Sequence, residues 1–167
     1  MVSPWPFAMW GINIISALPL AKGGAKYAIV AVDYFTKWAE AEALATITTK
    51  KVINFVVRNI ICRFGLPHTI ITDNGTQFDS AEFKDFCKRF HIQKKFSVVA
   101  HPQANGQVEA VNKVIKSILK NDWKRSVASG LMNFLWLYGL TEQPSRLRPV
   151  TLHSLFLTVQ KPLFQSN

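Results

Sequence analysis

Apolar and polar positions along the first half of the chain follow the spacing of strands. Trp10 to Leu18 (WGINIISAL) is almost continuously apolar, as a strand covered on both faces is. Lys22-Gly23-Gly24 supplies a turn, and Tyr27 to Asp33 (YAIVAVD) is rich in β-formers, so the two runs predict a hairpin. Lys37 to Ala43 (KWAEAEA) alternates small apolar with charged residues, which predicts a third strand exposed on one face. Val52, Phe55, Val56, Asn59, Ile60 and Phe64 then recur at helical spacing; Thr48 or Thr49 can cap this helix, and Gly65 and Pro67 stop it.

Beyond it, the run from His68 to Thr72 predicts another strand. Asp79 with Glu82 three residues on reads as a capping box for a helix through Phe90, and Gln93 to Val98 as a last short strand. A loop over Ala100 to Asn105 leads into an amphipathic helix from Gly106 to about Trp123. Its apolar stripe is Val108, Val111, Val114, Ile115, Ile118 and Leu119, while Glu109, Lys113, Lys116 and Lys120 share another face. Leu131 to Tyr138 predicts one more core helix, and Pro144, Pro149 and Pro162 punctuate the rest. The order β-β-β-α-β-α-β-α predicts a mixed α/β sheet with helices packed against it, without internal repeats or an interdomain linker.

Composition narrows the class. A chain of 167 residues with 49% hydrophobic and 12% aromatic residues can build one core. Twenty Lys and Arg against 10 Asp and Glu give a net charge of +10, a field that favours a polyanion, most often nucleic acid. Two cysteines, Cys62 and Cys87, are too few and too far apart for a disulfide scaffold, which points to a reducing compartment. With His68 and His91 they lack the close pairs of a zinc site, and Cys87 reads as a small buried thiol among Phe83, Phe86 and Phe90. No apolar run is long enough to span a membrane, and the apolar N-terminus, with two early prolines and no basic leader, reads as the opening of the domain. No glycine-rich phosphate loop supports a nucleotide-dependent metabolic enzyme.

The chemistry gathers at Thr72 to Phe78 (TDNGTQF). Asp73 is either a residue of an Asn-Gly turn after a strand or a metal ligand at a strand end, and the latter needs partners. Glu109 stands 36 positions on, preceded by NGQV. These blocks, with WGINIISALP, VDYFTKW, ICRFGLP, TDNGTQFDS and AHPQANGQVEAVNK, resemble the catalytic core of retroviral and retrotransposon integrases, notably those of plant Ty3/gypsy long-terminal-repeat elements, over roughly Trp5 to Lys120.

The resemblance implies a ribonuclease H-like fold with a mixed five-stranded sheet flanked by helices, residues 1–140 forming the core and 141–167 a divergent extension. It implies DNA integration by two-metal polynucleotidyl transfer, comprising 3′-end processing and strand transfer, on element ends and a target duplex. It also implies pairing as a homodimer and residence in the nucleus. Its site is an Asp-Asp-Glu set holding two Mg²⁺ or Mn²⁺ ions, hard cations suited to carboxylates. Asp73 and Glu109 match the second and third acids; Gln103, Asn105 and Gln107 match the loop used against a DNA end, and Lys113 and Lys116 the positions that face phosphates.

The first acid is where the pattern breaks. Asn13 stands where the family has the Asp that bridges both ions, and an amide brings no negative charge and turns an NH₂ donor toward the cations. Asp33 belongs to the VDYFTKW block beside an intact triad, so it reads as a strand-end turn residue and not a substitute ligand. Leu135-Trp136-Leu137-Tyr138 keeps the family pattern while Leu152 to Phe156 only echoes it, and the family's flanking zinc and basic-tail modules are not in this sequence. The expectation is a copy that binds DNA and transfers strands poorly or not at all. The alternatives are a non-catalytic DNA-binding or interaction remnant and, against the DNGTQF and NGQVE blocks, a cellular ribonuclease H.

Overall fold

The computed structural model describes residues 5–16, 18–97 and 102–131, with the backbone alone for 102–112. Strand β1 (Met9–Ile15) is central, antiparallel to β2 (Tyr27–Asp33) and parallel to β4 (Thr69–Thr72). Beyond these, β3 (Ala39–Leu44) runs antiparallel to β2 and β5 (Gln93–Phe96) parallel to β4, giving the order β3-β2-β1-β4-β5. This is the ribonuclease H-like arrangement that the resemblance implies.

Strand β3 differs from its sequence expectation in two respects. Lys37 has a φ of 64°, a turn conformation, so β3 begins only at Ala39. Nor is β3 exposed on its charged face: Glu40 is buried, with Trp38 Nε1–H donating to Oε1 at 2.8 Å and the Arg63 guanidinium on Oε2. Burial there is sustained because both oxygens are taken, a condition that alternation alone does not reveal.

The helix after β3 begins as expected. Thr48 caps α1 (Thr49–Phe55), its Oγ1 accepting the Lys51 N–H at 3.3 Å. It then widens into a π-helical stretch (Val56–Ile61) before α2 (Cys62–Phe64), which Gly65 ends with a φ of 92°. The wider turns bring the consecutive residues Ile60, Ile61 and Cys62 all into burial, which no period of 3.6 predicts.

The capping box at Asp79 is not formed. Asp79 is the last residue of a single helical turn, α3 (Thr76–Asp79), and Ser80 caps α4 (Ala81–Arg89) instead, its Oγ accepting the Phe83 N–H at 3.2 Å. Helix α5 (Pro102–Ser129) starts earlier and ends later than expected. Proline suits a first helical position because its missing N–H has no partner there to lose. The backbone of Gln103 and Asn105 is therefore helical and not a loop. A break at Asp122 (φ −122°, ψ 26°) does not end the helix.

Alternation divides the sheet between two cores. Trp10, Ile12, Ile29, Ala31 and Ile70 meet Val52, Phe55, Val56, Ile60, Phe78 and Phe83 from the helices before α5. Ile15, Ala28, Val30, Val32, Ala39 and Ala41 meet Ile115, Leu119 and Trp123 of α5 on the other face, where the small residues let the helix sit close. Each large aliphatic side chain so buried contributes about 1.5–3 kcal/mol. Lys113, Lys116 and Lys120 are exposed, but so is Val114, at 48%, so the apolar stripe of α5 is narrower than its sequence implies. The side chains of Val108 and Val111 and all residues of the expected last helix after Leu131 lie outside the described residues. Cys62 and Cys87 are buried, and burial pushes the Cys87 thiol up to about 11 against the pull of Lys94.

Candidate metal and nucleic-acid site

Register brings the first two expected positions together. β1 and β4 pair from Met9↔Thr69 to Ile12↔Thr72, and one further step sets Asn13 beside Asp73, about 4.8 Å being the usual spacing of neighbouring strands. On the far side Ser97 N–H donates to Thr72 O at 2.9 Å, carrying the β4–β5 ladder past Phe96 and drawing Ser97 abreast of Asp73. Trp10 and Ile12 belong to the core under α1 to α4, as does Ile70, so alternation turns Asn13 and Asp73 toward the side of the sheet that α5 covers.

Asp73 is the turn residue its sequence allows, standing at the end of a strand. Its Oδ1 accepts the Gly75 N–H at 2.9 Å, closing a turn of the Asx type. A Cβ on Gly75 would lie 2.2 Å from Gln77 Nε2 and 2.9 Å from Asp73 Oδ1, so the glycine makes room for the close approach. Phe78, fully buried and edge-on to Phe83 at 5.7 Å, pins the turn to the core, and Thr49 Oγ1 lies 3.1 Å from Ser80 Oγ. One carboxylate oxygen is thus fixed. Among the described residues no donor takes the other, Oδ2.

The donor set tests what such a site can hold. Asp73, half-buried, offers an open anionic oxygen suited to a hard divalent ion, which commonly takes one or two carboxylates and completes its shell with water. Asn13, also half-buried, offers one neutral oxygen. That pair fits one ion, held mainly by Asp73; it does not fit two ions bridged from position 13, which needs a carboxylate there. Among the described residues no three His, Cys, Asp or Glu side chains cluster as metal ligands. Glu109 lies in α5, and its side chain, like those of Gln103 and Asn105, is outside the described residues. Lys113 and Lys116 are exposed on the same helix.

Asp33 lies elsewhere, bonded through one oxygen, its Oδ1 being buried without a hydrogen-bond partner among the described residues. It pairs with Trp10 at the opposite end of β1 from Asn13, on the other face of the sheet, and its Oδ2 accepts both the backbone N–H and the Oγ1–H of Thr36 at 2.7 Å. It is the turn residue its sequence block implies. Lys95 is a residue that sequence reasoning missed: it pairs with Ile71 and so shares the α5 side with Asp73. Only the strand register could have found it, since Lys94 and Lys95 are indistinguishable by composition.

Comparison with known proteins agrees with the fold. The profile of the family described as Integrase core domain matches residues 4–102. The chain is 35% identical over 114 residues to the Gag-Pol polyprotein of avian reticuloendotheliosis virus, covering 68% of this chain and 10% of that protein. It is 33% identical over 144 residues to the Pol polyprotein of radiation murine leukemia virus (strain Kaplan), covering 86% and 24%. It therefore spans about a tenth to a quarter of these curated relatives. Among solved structures, the HTLV-2 integrase catalytic core domain in complex with magnesium, in its dimeric form, is similar with a TM-score of 0.59 and 26% identity, covering 82% of this chain and 86% of that one.

Proposed function

The chain belongs to the integrase core domain family, and from that premise we propose that it is the DNA-directed core of a polynucleotidyl transferase of a plant Ty3/gypsy retrotransposon, impaired in chemistry by Asn13. The observation that carries the reading is the register that sets an amide, and not an acid, beside Asp73. In this reading Asp73 and Glu109 hold Mg²⁺ or Mn²⁺, and Asn13 stands at the place of the lost ligand. With an acid at position 13 two such ions would activate a water or 3′-hydroxyl and neutralise the leaving oxygen; with Asn13 the residues fit only one, which is the impairment. The chain's own contribution is binding and orientation. The Gly75 amide aims Asp73, Lys113 and Lys116 meet phosphates, and Gln103 and Asn105 lie against the DNA end. The partners are element ends and target duplex; the protein pairs as a dimer, as the HTLV-2 core does, and works in the nucleus. Residues 1–140 form the core and 141–167 its extension.

Restoring the acid tests this directly. Asn13→Asp is expected to raise Mg²⁺-dependent strand transfer by at least about two orders of magnitude, the scale on which metal-ligand and electrostatic defects act. Equal transfer by the native chain and Asn13→Asp would refute the impairment. A second reading, a DNA-binding remnant without any transfer activity, is favoured by the same amide together with the exposed lysines of α5. Salt-dependent binding to duplex DNA with no metal-dependent cleavage, even after Asn13→Asp, would select it.

A further inference from the structure

The side chains of α5 fall into rows. Ile115, Leu119 and Trp123 are buried at steps of four residues, and this row keeps its register across the break at Asp122. Lys116, Lys120 and Lys124 each follow one of these three by a single position and are all exposed, so they form a second row about 100° round the helix from the buried one. Val114, Ile118 and Asp122, each one position before a buried residue, make the opposite flank, which sets Asp122 across the buried row from the lysines. Successive lysines of the row stand about 6 Å apart along the axis. The three together span about 12 Å, the axial length of roughly three to four nucleotides of one DNA strand.

Charge divides the helix into two parts. Glu109 stands four positions before Lys113, the spacing at which opposite charges on a helix offset each other, and Asp73 brings a second acid to the same side of the sheet. That end of α5 therefore suits a cation. Lys116 lies seven positions from Glu109, about 10 Å along the axis and more than the Debye length of about 8 Å at physiological salt, so the acid screens the row only weakly. None of Lys116, Lys120 and Lys124 forms an ion pair among the described residues. We infer that these three lysines form a phosphate track that holds duplex DNA along α5, beyond the candidate site. The inference rests on the reading that the chain binds DNA, and it gives that binding a path and two further residues, Lys120 and Lys124.

Fluorescence anisotropy with a labelled DNA duplex, repeated at several salt concentrations, tests it. Lys120→Gln and Lys124→Gln are each expected to weaken binding about fivefold and to lower the salt slope by about one, as loss of a single phosphate contact does. Lys120→Arg and Lys124→Arg should keep the native affinity. Lys88→Gln, which removes an exposed lysine from α4, should leave affinity and slope unchanged, so that position is separated from net charge. Two independent positions keep the test decisive should one variant fail to fold in a thermal melt. If Lys120→Gln and Lys124→Gln bind like the native chain while Lys116→Gln weakens binding, the inference falls and the DNA-binding reading stands. A loss in Lys88→Gln as large as in Lys120→Gln would likewise overturn the track, since attraction would then follow charge alone. If the native chain binds no duplex at any salt concentration, the DNA-binding reading itself falls, and the inference with it.

Discussion

Glu40 and Asp73 are both acids borne on one sheet, and they have been put to different uses. Glu40, on edge strand β3, is fully buried with both oxygens engaged, one by Trp38 and the other by Arg63. Asp73, just past β4, is half-buried with one oxygen fixed by the Gly75 amide and the other without a donor among the described residues. The difference teaches that occupancy, more than burial, separates a structural acid from one available to a ligand. A carboxylate whose acceptors are filled from within has nothing left to offer, whereas one held in place by half its acceptors is aimed and still open.

Removing each side chain should separate them most widely. Glu40→Ala leaves Trp38 Nε1–H and the Arg63 guanidinium without their acceptor and is expected to cost about 3–5 kcal/mol in urea denaturation. Asp73→Ala loses one turn hydrogen bond and should cost about 1 kcal/mol while abolishing any metal binding in calorimetry. A larger loss at Asp73 than at Glu40 would break the comparison.

Next in size is the pH dependence of Glu40. Burial pushes its carboxyl up from 4.5 to about 7, against the Trp38 hydrogen bond and the attraction of Arg63. The folded chain therefore prefers the protonated form: this contribution to stability is complete below the unfolded value and is lost as pH rises through about 7. The loss is on the order of 3 kcal/mol. Glu40→Gln removes the ionisable group, keeping a carbonyl oxygen for one partner and turning its NH₂ toward the other, and should flatten the profile in urea midpoints taken across that range.

How far these uses were legible in the sequence depends on which force fixes each residue. Local chemistry read well: the Asn-Gly turn at Asp73, the Thr48 cap and the Gly65 stop are set by residues within one turn of each other. Strand alternation gave the mixed sheet. What stayed hidden depends on distant partners. KWAEAEA looks like a solvated face until Arg63 and Asn59 arrive from the helix to occupy Glu40 and Glu42. The capping box at Asp79 satisfied its motif, but the turn α3 left Ser80 with the extended backbone a cap needs. Asn13 was identified by its block, yet its place beside Asp73 follows only from the parallel register.

A smaller effect is expected at the turn that aims Asp73. Gly75→Ala puts a methyl against the Gln77 amide and the Asp73 carboxylate; the Gln77 side chain can swing aside, but Asp73 can move only by lengthening its bond to the Gly75 amide. A cost of about 1 kcal/mol follows, with the double variant Gly75→Ala, Gln77→Ala recovering part of it. No recovery would mean that the clash is relieved through the backbone.

Asp79 supplies the weakest and sharpest case, an acid with partners but without burial. Lys84 lies 2.9 Å and Lys94 3.3 Å from its Oδ1, yet half of the side chain is exposed. The hydrogen bond from Lys84, then that from Lys94, holds its carboxyl below the usual aspartate value. The associated stability is present above the unfolded value and lost as pH falls, but water and salt screen an exposed pair, so Asp79→Asn should move the urea midpoint little. Carboxyl NMR should show the depressed titration returning toward the ordinary value with Lys84→Ala, and partly with added salt. Should Asp79→Asn instead destabilise the chain as much as Glu40→Ala, engaged acceptors would matter wherever they lie, and the contrast between Glu40 and Asp73 would have to be drawn from the number of partners alone.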